Sequence, residues 1–221
     1  MPLDASRMQR EIQMAVSSQE RGKAGRAAQH ILDCASAEAT AEANRQRAAE
    51  QTPLVADPRW RDMVAANDRL LPSCQAVDAA SRAQLVPLLR RSLTEGDKGA
   101  AAHLAAALLE AGFKVVDEPA VVAALRRDAW DCDRMSLGML NWLASRHPQL
   151  LTPNELGALR EQQRAYVSVE VEAALRTSPD NLELKAAMDH TRALFKPPPG
   201  ADPAKVARMA VDIQSRCKVE R

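Results

Sequence analysis

A period of 36 residues runs through the middle of this chain, and it limits the possible folds more than any other feature. Leu89-Arg90-Arg91 returns as Leu125-Arg126-Arg127, Asp97-Lys98 as Asp133-Arg134, Leu104 as Leu140, and the apolar Ala107 as Leu143. A repeat in the thirties that carries two helix-length patterns predicts stacked helix pairs, each burying an apolar face on its neighbour. Composition points the same way. Only 3% of the 221 residues are aromatic while alanine and leucine abound, which suits close helix packing and suits a sandwich or barrel poorly. The expectation is an all-α fold: a short, irregular α/α helix-pair repeat, solenoid-like, with additional N- and C-terminal helices.

Helix starts are sharply marked. Asp57-Pro58, Thr152-Pro153, Ser178-Pro179 and Asp202-Pro203 each place a capping side chain directly before a proline. The cap oxygen accepts from an otherwise unpaired amide, and proline at the first helical position wastes no donor. Glu155, three residues after Thr152, completes a capping box. Apolar spacing then predicts helices over 5–16 (Met8 and Ile12 on one face), 22–50, 58–70, 79–94, 97–111, 118–131, 133–146, 153–176, 179–195 and 203–217. The tail of the second, from Glu42, has little to bury. Pro87 either kinks the fourth helix or restarts it. Phe113–Val116 is a short strand candidate, and Tyr166–Val171 alternates like a strand but lies between helical flanks and is read as helix. Domain organisation follows: a partly polar N-terminal helical segment (1–52), a repeat domain (53–195), a proline-rich linker (196–202) and a C-terminal helix (203–221).

Residues 96–132 resemble a Sel-like repeat, a bacterial relative of the tetratricopeptide repeat. Gly96-Asp97, Ala100, Leu104-Ala105 and Gly112 match the opening and first helix of that pattern, and Ala120, Ala123, Ala124 and Ala129 match its second helix. The next unit opens as Cys132-Asp133 and keeps Leu140, with Asn141 where the pattern has a small residue. The resemblance spans about residues 89–147 and implies a protein- or peptide-binding scaffold. It puts Gly99, Ala102, Ala106 and Leu109 of the first unit on the concave side, and Met135, Gly138, Trp142 and Ser145 of the second. The first set has nothing polar to read a ligand, so other helices of the chain are expected to fill that groove, the alternative being that it clasps an apolar helix of a partner. In the second, Trp142 with Arg146, and Arg134 nearby, is the expected partner-binding surface, since tryptophan and arginine dominate interface energetics. The competing reading makes Trp142 core.

Thirty basic and 29 acidic residues leave a formal charge of +1, without the clustered basic excess of a nucleic-acid binder. The doublets Arg90-Arg91 and Arg126-Arg127 are read as a solvated face paired with acids such as Glu95 and Asp128 rather than as a basic ridge. No apolar run approaches the roughly 18 residues of a membrane span. Met1-Pro2-Leu3-Asp4 lacks a signal-peptide layout, which leaves a cytoplasmic protein or a mature periplasmic segment behind a new start methionine, the periplasm being preferred.

The cysteines bear on that choice. Cys34, Cys74, Cys132 and Cys217 form no Cys-x-x-Cys pair. A Cys34–Cys74 bridge would close a loop worth roughly 4 kcal/mol and imply an oxidising compartment; the alternative is four buried or idle thiols. Whether Cys132 and Cys217 pair is open. His30, His103, His147 and His190 have no metal-ligand spacing, and no nucleophile elbow or phosphate loop is present. No cofactor is expected. The functional expectation is a non-catalytic adaptor, accessory or regulatory protein. Two alternatives remain: an immunity or inhibitor protein occluding a toxin, and an envelope glycan-cleaving enzyme using a hidden carboxylate pair drawn from Glu110, Asp117 and Glu118.

Overall fold

The computed structural model describes residues 5–50, 58–177 and 182–217, and among these all regular structure is helical. The elements are α1 (Ala5–Ser17), α2 (Lys23–Ala49), α3 (Pro58–Gln75), α4 (Ala79–Arg82), α5 (Leu85–Glu95), α6 (Ala100–Glu110), α7 (Pro119–Trp130), α8 (Arg134–Arg146), α9 (Pro153–Thr177), α10 (Leu182–Leu194) and α11 (Pro203–Cys217), with 3-10 turns at Val115–Asp117 and Pro148–Leu150. The all-α expectation holds. No described helix is long and apolar enough to cross a membrane. The chain divides into two compact units, Met1–Ala100 and Ala101–Arg221.

In the first unit α2 is the spine, packed by α1, α3 and α5. Met8 and Ile12 of α1 are buried, as are Ala24, Ala27, Ala28 and Ile31 of α2. Small residues allow close approach: a Cβ on Gly25 would stand 2.7 Å from Asp97 Oδ2 and 2.9 Å from Ser92 Oγ. Arg82 joins three elements. Its guanidinium donates twice to Glu38 of α2, at 2.9 and 2.7 Å, and also to the carbonyls of Cys74, in the last turn of α3, and of Val77 just past it. Those bonds satisfy carbonyls that a helix end leaves without partners. They help α3 continue through Pro72 to Gln75, past the predicted end at residue 70. Pro87 restarts the helix: α4 ends at Arg82, and Pro87 lies in the first turn of α5, where no amide donor is required.

The second unit packs α7 on α8, α8 on α9, and both α10 and α11 on α9. Thr152 and Glu155 form the reciprocal capping box that starts α9, and Asp202 Oδ1 accepts from the amides of Ala204 and Lys205 to start α11. The expected caps at Asp57 and Ser178 lie outside the described residues. Tyr166–Val171 is helical within α9, as expected. Phe113–Val116 is not a strand. Gly112, at φ +80°, closes α6, Phe113 stands 60% exposed, and Val115 is buried in a 3-10 turn. The residues 196–202 leave the helix as expected and are held by α9: Arg160 donates to the Lys196 carbonyl, and Asp202 donates its amide to Asn154 Oδ1.

The 36-residue period has a local structural counterpart. Gly96 (φ +83°) and Cys132 (φ +67°) both turn into the left-handed region after a helix. In each case the next amide reaches five residues back, Asp97 to the Ser92 carbonyl at 3.0 Å and Asp133 to the Asp128 carbonyl at 2.8 Å. That is the Schellman closure of a helix C-terminus. Leu89 and Leu125 are buried at matching places, and so are Leu104 and Leu140.

Candidate functional site

Leucine spacing decides which face of α8 is free. Leu137, Leu140, Leu143 and Ala144 are buried, and Ser136 and Asn141 are buried beside them. The remaining face carries Met135 (51% exposed), Trp142 (41% exposed), Ser145 and Arg146. Trp142 is therefore a surface residue and not core. The Arg146 guanidinium lies 3.9 Å from the Trp142 ring centroid, a cation–π contact. Asp133 fixes the start of α8 by accepting from the Ser136 amide at 2.7 Å, and His147 caps its end.

Arg134 belongs to the same helix but to another aromatic neighbour. Its guanidinium is 4.5 Å from the ring centroid of Tyr166 on α9. Asn141 and Gln163 bond across the two helices at 2.5 Å, fixing α8 against α9. Gly138 keeps the middle of the face low: a Cβ there would find only Gln163 Nε2, at 3.7 Å. The structure thus brings Trp142 and Arg146 together and sets Arg134 on Tyr166, a residue the sequence reading did not single out. As the chain's one tyrosine it was a visible signal, but the α8–α9 pairing that gives it a role was not. The first-unit groove positions differ in kind. Gly99 and Ala102 are buried, and Ala106 and Leu109 are half-buried, in keeping with a groove filled by the chain itself.

Two clefts also stand among the described residues. One, of about 300 Å³, is lined by Arg126, Arg127, Trp130, Asp131, Glu155 and Arg216. Its charges are largely internally matched: Arg126 pairs with Glu155, Arg127 with the buried Asp128, and Arg216 with Asp212 and more distantly with Asp131. Burial pushes the Glu155 carboxyl up, but the Thr152 amide and hydroxyl and the Arg126 charge together hold it below the usual range. The other, of about 430 Å³, lies between α1 and α2 and is lined by Arg7, Glu11, Met14, Lys23, Arg26, Ala27 and His30. There hydrogen bonds from Arg7 and His30 lower the Glu11 carboxyl. The arginine doublets are engaged with acids or carbonyls where their contacts are described. Arg91 pairs with Glu95 and caps α1 through the carbonyls of Ala15 and Ser18. Glu110 and Asp117 stand exposed and Glu118 is half-buried.

The cysteines stand as two pairs at disulfide distance. Cys34 and Cys74 join α2 to α3 with Cα atoms 5.1 Å apart; Cys132 and Cys217 join the α7–α8 corner to the end of α11 at 5.4 Å. The second pairing was left open by the sequence, because 85 residues separate its members. No known family pattern matches this chain, and comparisons with curated proteins and with solved structures return no match.

Proposed function

We propose that this chain is a non-catalytic protein- or peptide-binding factor, of the Sel-like helix-pair kind, that works in an oxidising compartment such as the bacterial periplasm. Its partner sits on the exposed face of α8. The observation that supports this reading is the surface pair of Trp142 and Arg146: a large aromatic 41% exposed, pinned by a guanidinium, beside the exposed Met135. An exposed aromatic–arginine pair is what hot spots are built from. Arg134 on Tyr166 extends the surface along α8. The matching corners at Gly96 and Cys132 favour the helix-pair reading, and the two cysteine pairs favour the compartment.

The test is capture of a partner by immobilised protein, with Trp142→Ala run beside the unchanged chain. The variant is expected to lose at least about tenfold in affinity, as for truncation of an aromatic hot spot, while its unfolding free energy changes by less than about 1 kcal/mol. A variant that unfolds, or one that binds as before, removes α8 as the site.

A further inference from the structure

The two cysteine pairs sit in opposite surroundings. Cys34 and Cys74 are completely buried, with the Met8 sulfur 3.4 Å from that of Cys34. Cys132 and Cys217 are half-buried. Their chain neighbours Asp131 and Arg216 line the cleft of about 300 Å³ that also holds Trp130 and Arg126.

The sulfur of Cys217 also has an uncommon setting. Gln162 Nε2 lies 3.3 Å from it and Tyr166 Oη 3.4 Å, both from α9. A disulfide sulfur is a weak acceptor, whereas a thiolate is a strong one. Gln162 and Tyr166 can donate to that sulfur when it carries charge, and the Ile213 carbonyl, 3.1 Å away, accepts from it once it is a thiol. Backbone conformation adds an independent sign. Cys132 is the non-glycine residue found at positive φ among those described, at a corner whose counterpart 36 residues earlier is Gly96. A thiol occupies a place that backbone sterics would give to glycine.

We propose that the half-buried Cys132–Cys217 is a site of thiol–disulfide exchange with a small dithiol reductant, while the fully buried Cys34–Cys74 stays closed. The incoming thiolate attacks Sγ of Cys132 and forms a mixed disulfide. The Cys132–Cys217 bond breaks, and its electron pair remains on Cys217, where Gln162 and Tyr166 donate to the new thiolate. The reductant's second thiol then attacks its own sulfur in the mixed disulfide and displaces Cys132. Two electrons pass to the protein, both cysteines end as thiols with the reductant's two protons, and the reductant leaves as a cyclic disulfide. A leaving thiol stabilised as thiolate leaves faster, which assigns Gln162 and Tyr166 as positioning residues. Opening releases the end of α11 from the α7–α8 corner.

The experiment treats the folded, full chain with dithiothreitol, quenches with iodoacetamide over time and counts alkylated cysteines by peptide mass spectrometry. Cys132 and Cys217 are expected to be labelled together, about 100-fold faster than Cys34 and Cys74, following the difference in access. Tyr166→Phe combined with Gln162→Leu is expected to slow opening of Cys132–Cys217 about fivefold, by removing both donors to the leaving sulfur, with no change at Cys34–Cys74. If the double variant misfolds, Tyr166→Phe alone keeps the ring and carries the same expectation in smaller degree. A common rate for both pairs, prior reduction of Cys34–Cys74, or a variant that opens at the original rate overturns the proposal.

Discussion

Trp142 shows how one residue's place is set by its neighbours. Leu137, Leu140 and Leu143 hold the core face at three-residue spacing, so a residue two after Leu140 points away from it. That signal was present in the sequence, yet the reading of Trp142 as core stood against it and was slightly preferred, and only burial resolved it. Glu155 is a residue whose ionisation the fold uses. Its native carboxyl holds a proton less readily than in the unfolded chain, despite the opposing effect of burial. The resulting stabilisation is present above the ordinary carboxylate range near pH 4 and is lost as pH falls through the lowered native value. Glu11 and Asp78 are lowered as well and act with the same sign. Urea midpoints should therefore fall on acidification through and below that range. Glu155→Gln should flatten that fall and cost up to about 1 kcal/mol at pH 7 through the lost ion pair with Arg126, its amide oxygen still accepting from Thr152, as followed by circular dichroism.

At the scale of elements, most helices were readable because caps and prolines mark their starts locally. Thr152 with Glu155 and Asp202 before Pro203 are examples. What was not readable is which helices touch, since that depends on residues far apart in the chain. Gly157 on α9 is one case. A Cβ there would lie 2.7 Å from Val206 Cγ2 of α11 and 3.6 Å from Pro198. Gly25 against Ser92 and Asp97 is the matching case between α2 and the end of α5. Nothing near residues 25 or 157 announces these approaches. Gly157→Ala and Gly25→Ala, normally mild or even stabilising inside a helix, should each cost about 1–3 kcal/mol here through overpacking. Denaturant melts of the two variants check this. Unchanged or raised midpoints would mean the helices can separate at little cost. Pro87 and the Phe113–Val116 segment were ambiguous for another reason: the first turn of a helix tolerates proline, and a short apolar run fits a 3-10 turn as well as a strand.

For the molecule as a whole, each compact unit carries its own cysteine pair. Cys34–Cys74 closes 40 residues and Cys132–Cys217 closes 85, worth about 4 and 4.5 kcal/mol respectively in the chain-entropy model. Replacing Cys34 and Cys74 by alanine should lower the unfolding of Met1–Ala100 by about that amount, and the second replacement should act on Ala101–Arg221. Trp60 reports on the first unit and Trp130 or Trp142 on the second, so variants retaining tryptophan in one unit separate the two by fluorescence. One shared transition, shifted equally by either replacement, would show that the units unfold together.

Partner binding on the α8 face is best tested by site-specific photocrosslinking in cells that make the protein. A photoreactive residue is placed at Met135 or Ser145, beside Trp142, and for comparison at the exposed Val211 of α11. The account predicts a discrete protein adduct from positions 135 and 145, absent at 211 and abolished when Trp142→Ala is added. Adducts that form equally at 211, or that persist without the tryptophan, would contradict it.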